Sequence, residues 1–127
     1  MAKPPKKSVD AVPNPDTMNP QSTDDFLERG WLYYSHKKYE LAEADINLVL
    51  QKEPSNVDAW YALGLTLKGL GDSQKALDAF AKIDGVIKQI EDHQRATIIS
   101  RLAHGQINQI KTGDWNLEKE VWKRKFE

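Results

Sequence analysis

A chain of 127 residues, 39% apolar and 29% charged, has room for one domain around one core, which excludes a large multidomain enzyme. Its 18 basic and 19 acidic residues leave a net charge of -1, so the total charge calls for neither nucleic acid nor anionic lipid. Without cysteine there is no disulfide framework and no thiolate for zinc or an iron–sulfur cluster; this fits a reducing compartment and leaves stability to packing.

Five of the six prolines fall in the first twenty residues, where, after the initial Met1, Val9, Val12 and Met18 are the only sizeable apolar side chains. Such a stretch buries too little surface to offset its ordering entropy, so residues 1–22 are expected to be a disordered Pro/Lys-rich tail. It has no apolar signal core, and apolar runs elsewhere last only a few residues. Neither a secretory leader nor a membrane span is expected, and a cytoplasmic location is.

Ser22 and Thr23, followed by Asp24, Asp25 and Glu28, form a helix start in which the acids favour the positive end of the helix dipole. Phe26, Gly30, Tyr33 and Tyr34 carry the helical spacing to about His36. Leu41, Ala42, Ile46, Val49 and Leu50 repeat it and stop before Pro54, so the two segments predict an antiparallel pair. Ser55 or Asn56 caps the next helix, through Trp60, Leu63, Gly64 and Leu67, which ends at Gly71. Asp72 then caps a helix with Ala76, Leu77, Phe80 and Ile83, and Gly85 is expected to break or bend the chain beyond it. A longer helix over about Asp92 to Lys111, the Gly113-Asp114 punctuation, and a last helix from Trp115 to Phe126 complete six helices in three hairpins.

Shifting the chain by 34 residues places Phe26 on Trp60, Gly30 on Gly64, Tyr33 on Leu67, Ala42 on Ala76, Ile46 on Phe80 and Val49 on Ile83. Large residues fill the space between paired helices, and Gly or Ala sits where two backbones approach closely. With Tyr39 and Pro54 in the first unit and Leu63 and Gly71 in the second, the pattern resembles the tetratricopeptide repeat. Arg29 departs from it where an apolar residue is usual, as does Lys88 where Pro would end the hairpin. Gly105 and Gly113 are one residue further apart than Gly64 and Gly71, so the third unit is divergent. The resemblance implies an all-α, right-handed α-α superhelix of three antiparallel hairpins over residues 23–127, with repeats at about 23–56, 57–90 and 91–127.

The residues offer no catalytic or metal site. His93 and His104 share a helix face but lie about 16 Å apart, too far for one metal. Asp24, Asp25, Glu28, Glu40, Glu43 and Asp45 cluster without a partner base or nucleophile and are expected on solvated faces, and there is no phosphate loop. No cofactor, nucleic acid or membrane insertion is expected.

The resemblance implies a concave groove lined by the first helix of each pair. The matching positions hold Leu27, Trp31 and Tyr34 in the first unit and Tyr61, Leu65 and Lys68 in the second, an apolar and aromatic lining suited to anchoring a partner peptide. Leu27, Trp31 and Ala62 stand where co-chaperone members carry the polar side chains of a carboxylate clamp, so an apolar or amphipathic protein segment is the expected ligand. In the last helix Trp115, Trp122 and Phe126 share one face; Leu117 and Val121 lie on the opposite one, offering a homodimer or docking face. The expectation is a non-catalytic adaptor or assembly chaperone. Its alternative is a structural subunit, or a homodimer, that docks through the terminal helix.

Overall fold

The computed structural model describes residues 13–115. Among these, five α-helices form an all-α stack: α1 (Thr23–Ser35), α2 (Tyr39–Lys52), α3 (Val57–Gly69), α4 (Ser73–Val86) and α5 (His93–Thr112). Consecutive helices pair as hairpins, α1 with α2 and α3 with α4. The hairpins stack through α2 on α3 and α4 on α5, and α1 reaches α3. The all-helical hairpin fold expected from the repeat is thus the fold observed. The expected sixth helix, with Leu117 and Val121, lies outside the described residues apart from Trp115.

The repeat extends to individual hydrogen bonds. Ser22 and Asn56, 34 residues apart, cap α1 and α3 by accepting from the backbone N–H groups of Asp25 and Ala59. Both first helices close alike: Lys38 N–H donates to Tyr33 O (2.9 Å) and Asp72 N–H to Leu67 O (3.0 Å), with Lys37 N–H on Tyr34 O and Gly71 N–H on Lys68 O. This closure needs a left-handed residue. Gly71 supplies it at φ 85°, and in the first hairpin Lys37 takes it at φ 64°. Gly85 does not break α4, which runs to Val86 before a 3-10 turn, Ile87–Gln89.

Helix α3 is the centre of the core, burying Val57, Ala59, Ala62, Leu63, Gly64, Thr66 and Leu67. The buried Thr66 hydroxyl donates to Ala62 O at 2.8 Å, so its burial leaves no donor unpaired. Around it pack Ile46 and Val49 from α2, Phe80 and Ile83 from α4 and Ala103 from α5. Two glycines set the spacing within the hairpins. A β-carbon on Gly30 would stand 3.0 Å from Ile46 Cγ1, and one on Gly64 would overlap the Phe80 ring.

Asp45, expected on a solvated face, is instead buried at 3% exposure. Arg29 explains it: Nε lies 2.8 Å from Asp45 Oδ2 and Nη2 2.9 Å from Oδ1, a bidentate pair. The guanidinium also stands over the Phe26 and Tyr33 rings, 5.6 Å from each centroid. Thirty-four residues on, the same two places hold Leu63 and Ala79. The departure at Arg29 is a polar pair standing where the second hairpin has an apolar one.

The tail expected over 1–22 is described from residue 13 on, and there the chain folds back on α1. Pro15–Thr17 forms a 3-10 turn capped by Asn14, with Pro15 buried. Asp16 accepts from the Tyr33 hydroxyl (3.0 Å) and from Lys38 Nζ (3.2 Å). The Tyr33 and then the Lys38 hydrogen bond hold the Asp16 carboxyl below the usual carboxylate range. A carboxyl lowered on folding stabilises above its unfolded pKa, and that contribution disappears as pH falls through the folded pKa. Asp16→Asn should therefore lower the melting temperature near neutral pH, by a few degrees since the pair is half exposed, and match wild type in strong acid. Thermal unfolding across the acid range reads this directly; a difference persisting in strong acid would contradict it.

Candidate functional site

The six positions expected in the groove lie on α1 and α3, all half-buried, and the five apolar ones pack against the core. On α1 the rings of Trp31 and Tyr34 meet edge to face, 6.0 Å between centroids at 87°. The Tyr34 ring also meets Tyr39 at 5.7 Å, and Tyr39 fills the space over Gly69. Burial, then the neighbouring Tyr39 and Tyr61 phenols, raise the Tyr34 phenol above its ordinary value. Three aromatic side chains from α1 and α2, Trp31, Tyr34 and Tyr39, thus form one patch, with the Tyr61 phenol of α3 near that of Tyr34. Tyr39 reaches it from a second helix, which the spacing of first-helix positions does not indicate.

On α3 the arrangement is more polar. The Tyr61 ring packs on Phe80 (5.6 Å, 58°), and its hydroxyl accepts from Gln106 Nε2 at 3.1 Å. Lys68 Nζ donates to Gln106 Oε1 (2.9 Å) and Gln109 Oε1 (3.0 Å). Tyr61 and Lys68 are therefore tied to α5 as well as turned to the surface. Sequence spacing held the signal for these glutamines: Leu102, Gln106 and Gln109 follow Tyr61, Leu65 and Lys68 by the interval separating Gly105 from Gly64. Three rows of three result: Leu27, Tyr61 and Leu102; Trp31, Leu65 and Gln106; Tyr34, Lys68 and Gln109. The surface changes across them from aromatic on α1 to amide on α5.

Neighbouring hairpins are joined by further polar contacts. Arg95 of α5 pairs with Asp58 of α3. Glu53, after α2, accepts from Thr23 Oγ1 at 2.6 Å and from Asn56 Nδ2 at 2.9 Å, which together hold its carboxyl below the ordinary range. His104 Nε2 lies 2.8 Å from Asp84 Oδ2. Among the described residues, no group of three or more His, Asp or Glu side chains is placed to hold a metal ion. Nor is any helix among them long and apolar enough to cross a membrane.

A family model described as the tetratricopeptide repeat matches residues 47–78, from the second half of α2 through all of α3 into α4. The matched segment contains Gly64 and Gly71, the residues that set the spacing and the turn of the second hairpin. No curated protein and no solved structure matches the chain.

Proposed function

We propose that the chain, a stack of helical hairpins whose residues 47–78 match the tetratricopeptide repeat, is a non-catalytic protein-interaction module, an adaptor or assembly chaperone of the cytoplasm. Its ligand is an apolar or amphipathic segment of a partner protein, laid across the first helices of the hairpins. One observation carries this reading: the half-buried rings of Trp31, Tyr34 and Tyr39 form a contiguous aromatic patch, and the Tyr61 phenol is near enough to act on that of Tyr34. Aromatic rings lose few rotatable bonds on binding and are enriched among residues that dominate interface energies. The patch is held by the fold itself, so a partner does not have to order it. Leu27 and Leu65 extend it, and Lys68 with its two glutamines supplies a polar margin.

Replacing Trp31, Tyr34 and Tyr61 together with alanine should abolish capture of the partner retained by wild type, with helicity by circular dichroism unchanged. Because Tyr61 also packs on Phe80, Tyr61→Phe is the control; it removes only the hydroxyl and should retain capture. Capture by the triple variant equal to wild type would refute the assignment and turn attention to the terminal face carrying Leu117 and Val121.

A further inference from the structure

Lys68 is the one charged side chain in the three rows of the first-helix surface, and it is half-buried. Arg29, Lys38 and Arg95 each stand against a carboxylate. Lys68 is held instead by two neutral amides of α5, the Oε1 atoms of Gln106 (2.9 Å) and Gln109 (3.0 Å), so among the described residues its charge meets no counter-charge. Those two bonds also fix which way the cluster points. An ammonium only donates, so each glutamine must turn its oxygen to Lys68 and its NH2 group away. Gln106 Nε2 then donates to the Tyr61 hydroxyl at 3.1 Å, which leaves the phenolic hydrogen to find another acceptor. That hydrogen, Gln109 Nε2 and the third hydrogen of Lys68 Nζ have no acceptor among the described residues. The cluster therefore presents donors and a positive charge, ordered before any ligand arrives.

We propose that this cluster binds the side-chain carboxylate of an aspartate or glutamate in the partner segment, while an apolar side chain of the same segment rests on Trp31 and Tyr34. This rests on the first-helix surface being the partner site proposed above, and it names the residue that the segment must carry there. A carboxylate is the complement in kind: it only accepts, and it answers the charge that a neutral acceptor would leave unmatched. Half-buried beside aromatic rings, that charge is screened less than in open water. The carboxylate belongs to a side chain within the segment, because the places where the resembled family grips a chain terminus hold Leu27, Trp31 and Ala62. Tyr34 and Lys68 are equivalent positions on neighbouring first helices, 34 residues apart. Packed helices lie about 8–10 Å apart, which an extended segment covers in about three residues and a helical one in about seven, so the acid stands at that interval from the apolar anchor. The charge resides on Lys68, and Tyr61→Phe therefore removes one donor and keeps the preference.

The test is selection from two random-peptide libraries against the full chain, one ending in a free carboxylate and one in which the random stretch is followed by further chain. Wild type should enrich Asp or Glu at a fixed distance from an apolar residue in the second library. Lys68→Glu should reverse that position to Lys or Arg. For one selected peptide, changing the acid to its amide should weaken binding to wild type about ten-fold by calorimetry and leave binding to Lys68→Met unchanged. Lys68→Met removes the charge and keeps the length, and it serves alone should Lys68→Glu fail to fold. An apolar anchor selected without an acidic position, or an acid preference that survives the Lys68 variants, would overturn the proposal and leave the partner site standing. Acids enriched only as a free C-terminus would overturn it in favour of a terminal carboxylate. If neither library yields an enriched sequence, the first-helix surface is not a peptide site and both readings fall.

Discussion

Replacing Gly64 with alanine should destabilise the chain severely, while the same change at Gly30 should be nearly neutral. The two glycines are repeat equivalents, but the added β-carbon meets different things. At Gly64 it falls within the Phe80 ring, which is fully buried and has nowhere to move. At Gly30 it reaches Ile46 Cγ1 at 3.0 Å, a contact relieved by a few tenths of an ångström. Overpacking a close-packed core costs about 1–3 kcal/mol and more where a ring is displaced. Against this, alanine in a helix gains about 1 kcal/mol over glycine, enough to balance Gly30→Ala and too little for Gly64→Ala. Phe80→Ile, which copies the first hairpin, should restore tolerance of alanine at 64. Denaturation midpoints of the three variants check it, and equal losses at the two glycines would contradict it. Phe80→Ala is the largest single loss expected, about 3–5 kcal/mol, a large share of the stability of a domain this size.

The second large effect concerns Arg29 and Asp45. Asp45→Ala leaves a guanidinium, 23% exposed, without its carboxylate, and Arg29→Leu leaves a carboxylate, 5% exposed, without its cation. Each single change should cost about 2–4 kcal/mol, because an unpaired buried charge bears the desolvation that the pair had balanced. Made together, as Arg29→Leu with Asp45→Ala, they transplant the Leu63 and Ala79 pair of the second hairpin. The double variant should lie within about 1 kcal/mol of wild type, since buried ion pairs exchanged for packed apolar residues are often neutral or stabilising. Chemical denaturation of the three variants measures these losses; a double variant as weak as either single one would show that the pair is not interchangeable with its apolar counterpart.

The helices, their caps and their pairing were legible in the sequence because each rests on interactions within a few residues. Ser22 and Asn56 bond three residues ahead, Gly71 and Gly113 take a left-handed turn that few other residues accept, and apolar spacing states which face of each helix is buried. The 34-residue repeat added the hairpins, and the notch glycines Gly30 and Gly64 follow from it. Lys37 shows the limit even at this level: it takes the left-handed place of Gly71 because the flanking hydrogen bonds impose the turn, not because lysine prefers it.

What the tertiary structure decided is which polar side chain meets which. Asp45 reads from its neighbours as one acid among several on a helix face, and only the approach of Arg29 from α1 makes its burial tolerable. Repeat spacing places Gln106 and Gln109 on the same surface as Leu65 and Lys68 but not their partners; they bond Lys68 and Tyr61 across 38 to 45 residues of chain. The seating of Trp115 on Gly105, the docking of Asp16 on Tyr33 and the Tyr39 contribution to the aromatic patch depend likewise on distant partners. Apolar burial follows from periodicity because any apolar surface can cover another. A buried hydrogen bond or ion pair needs one particular partner at one distance and angle, and only the packed helices fix that geometry.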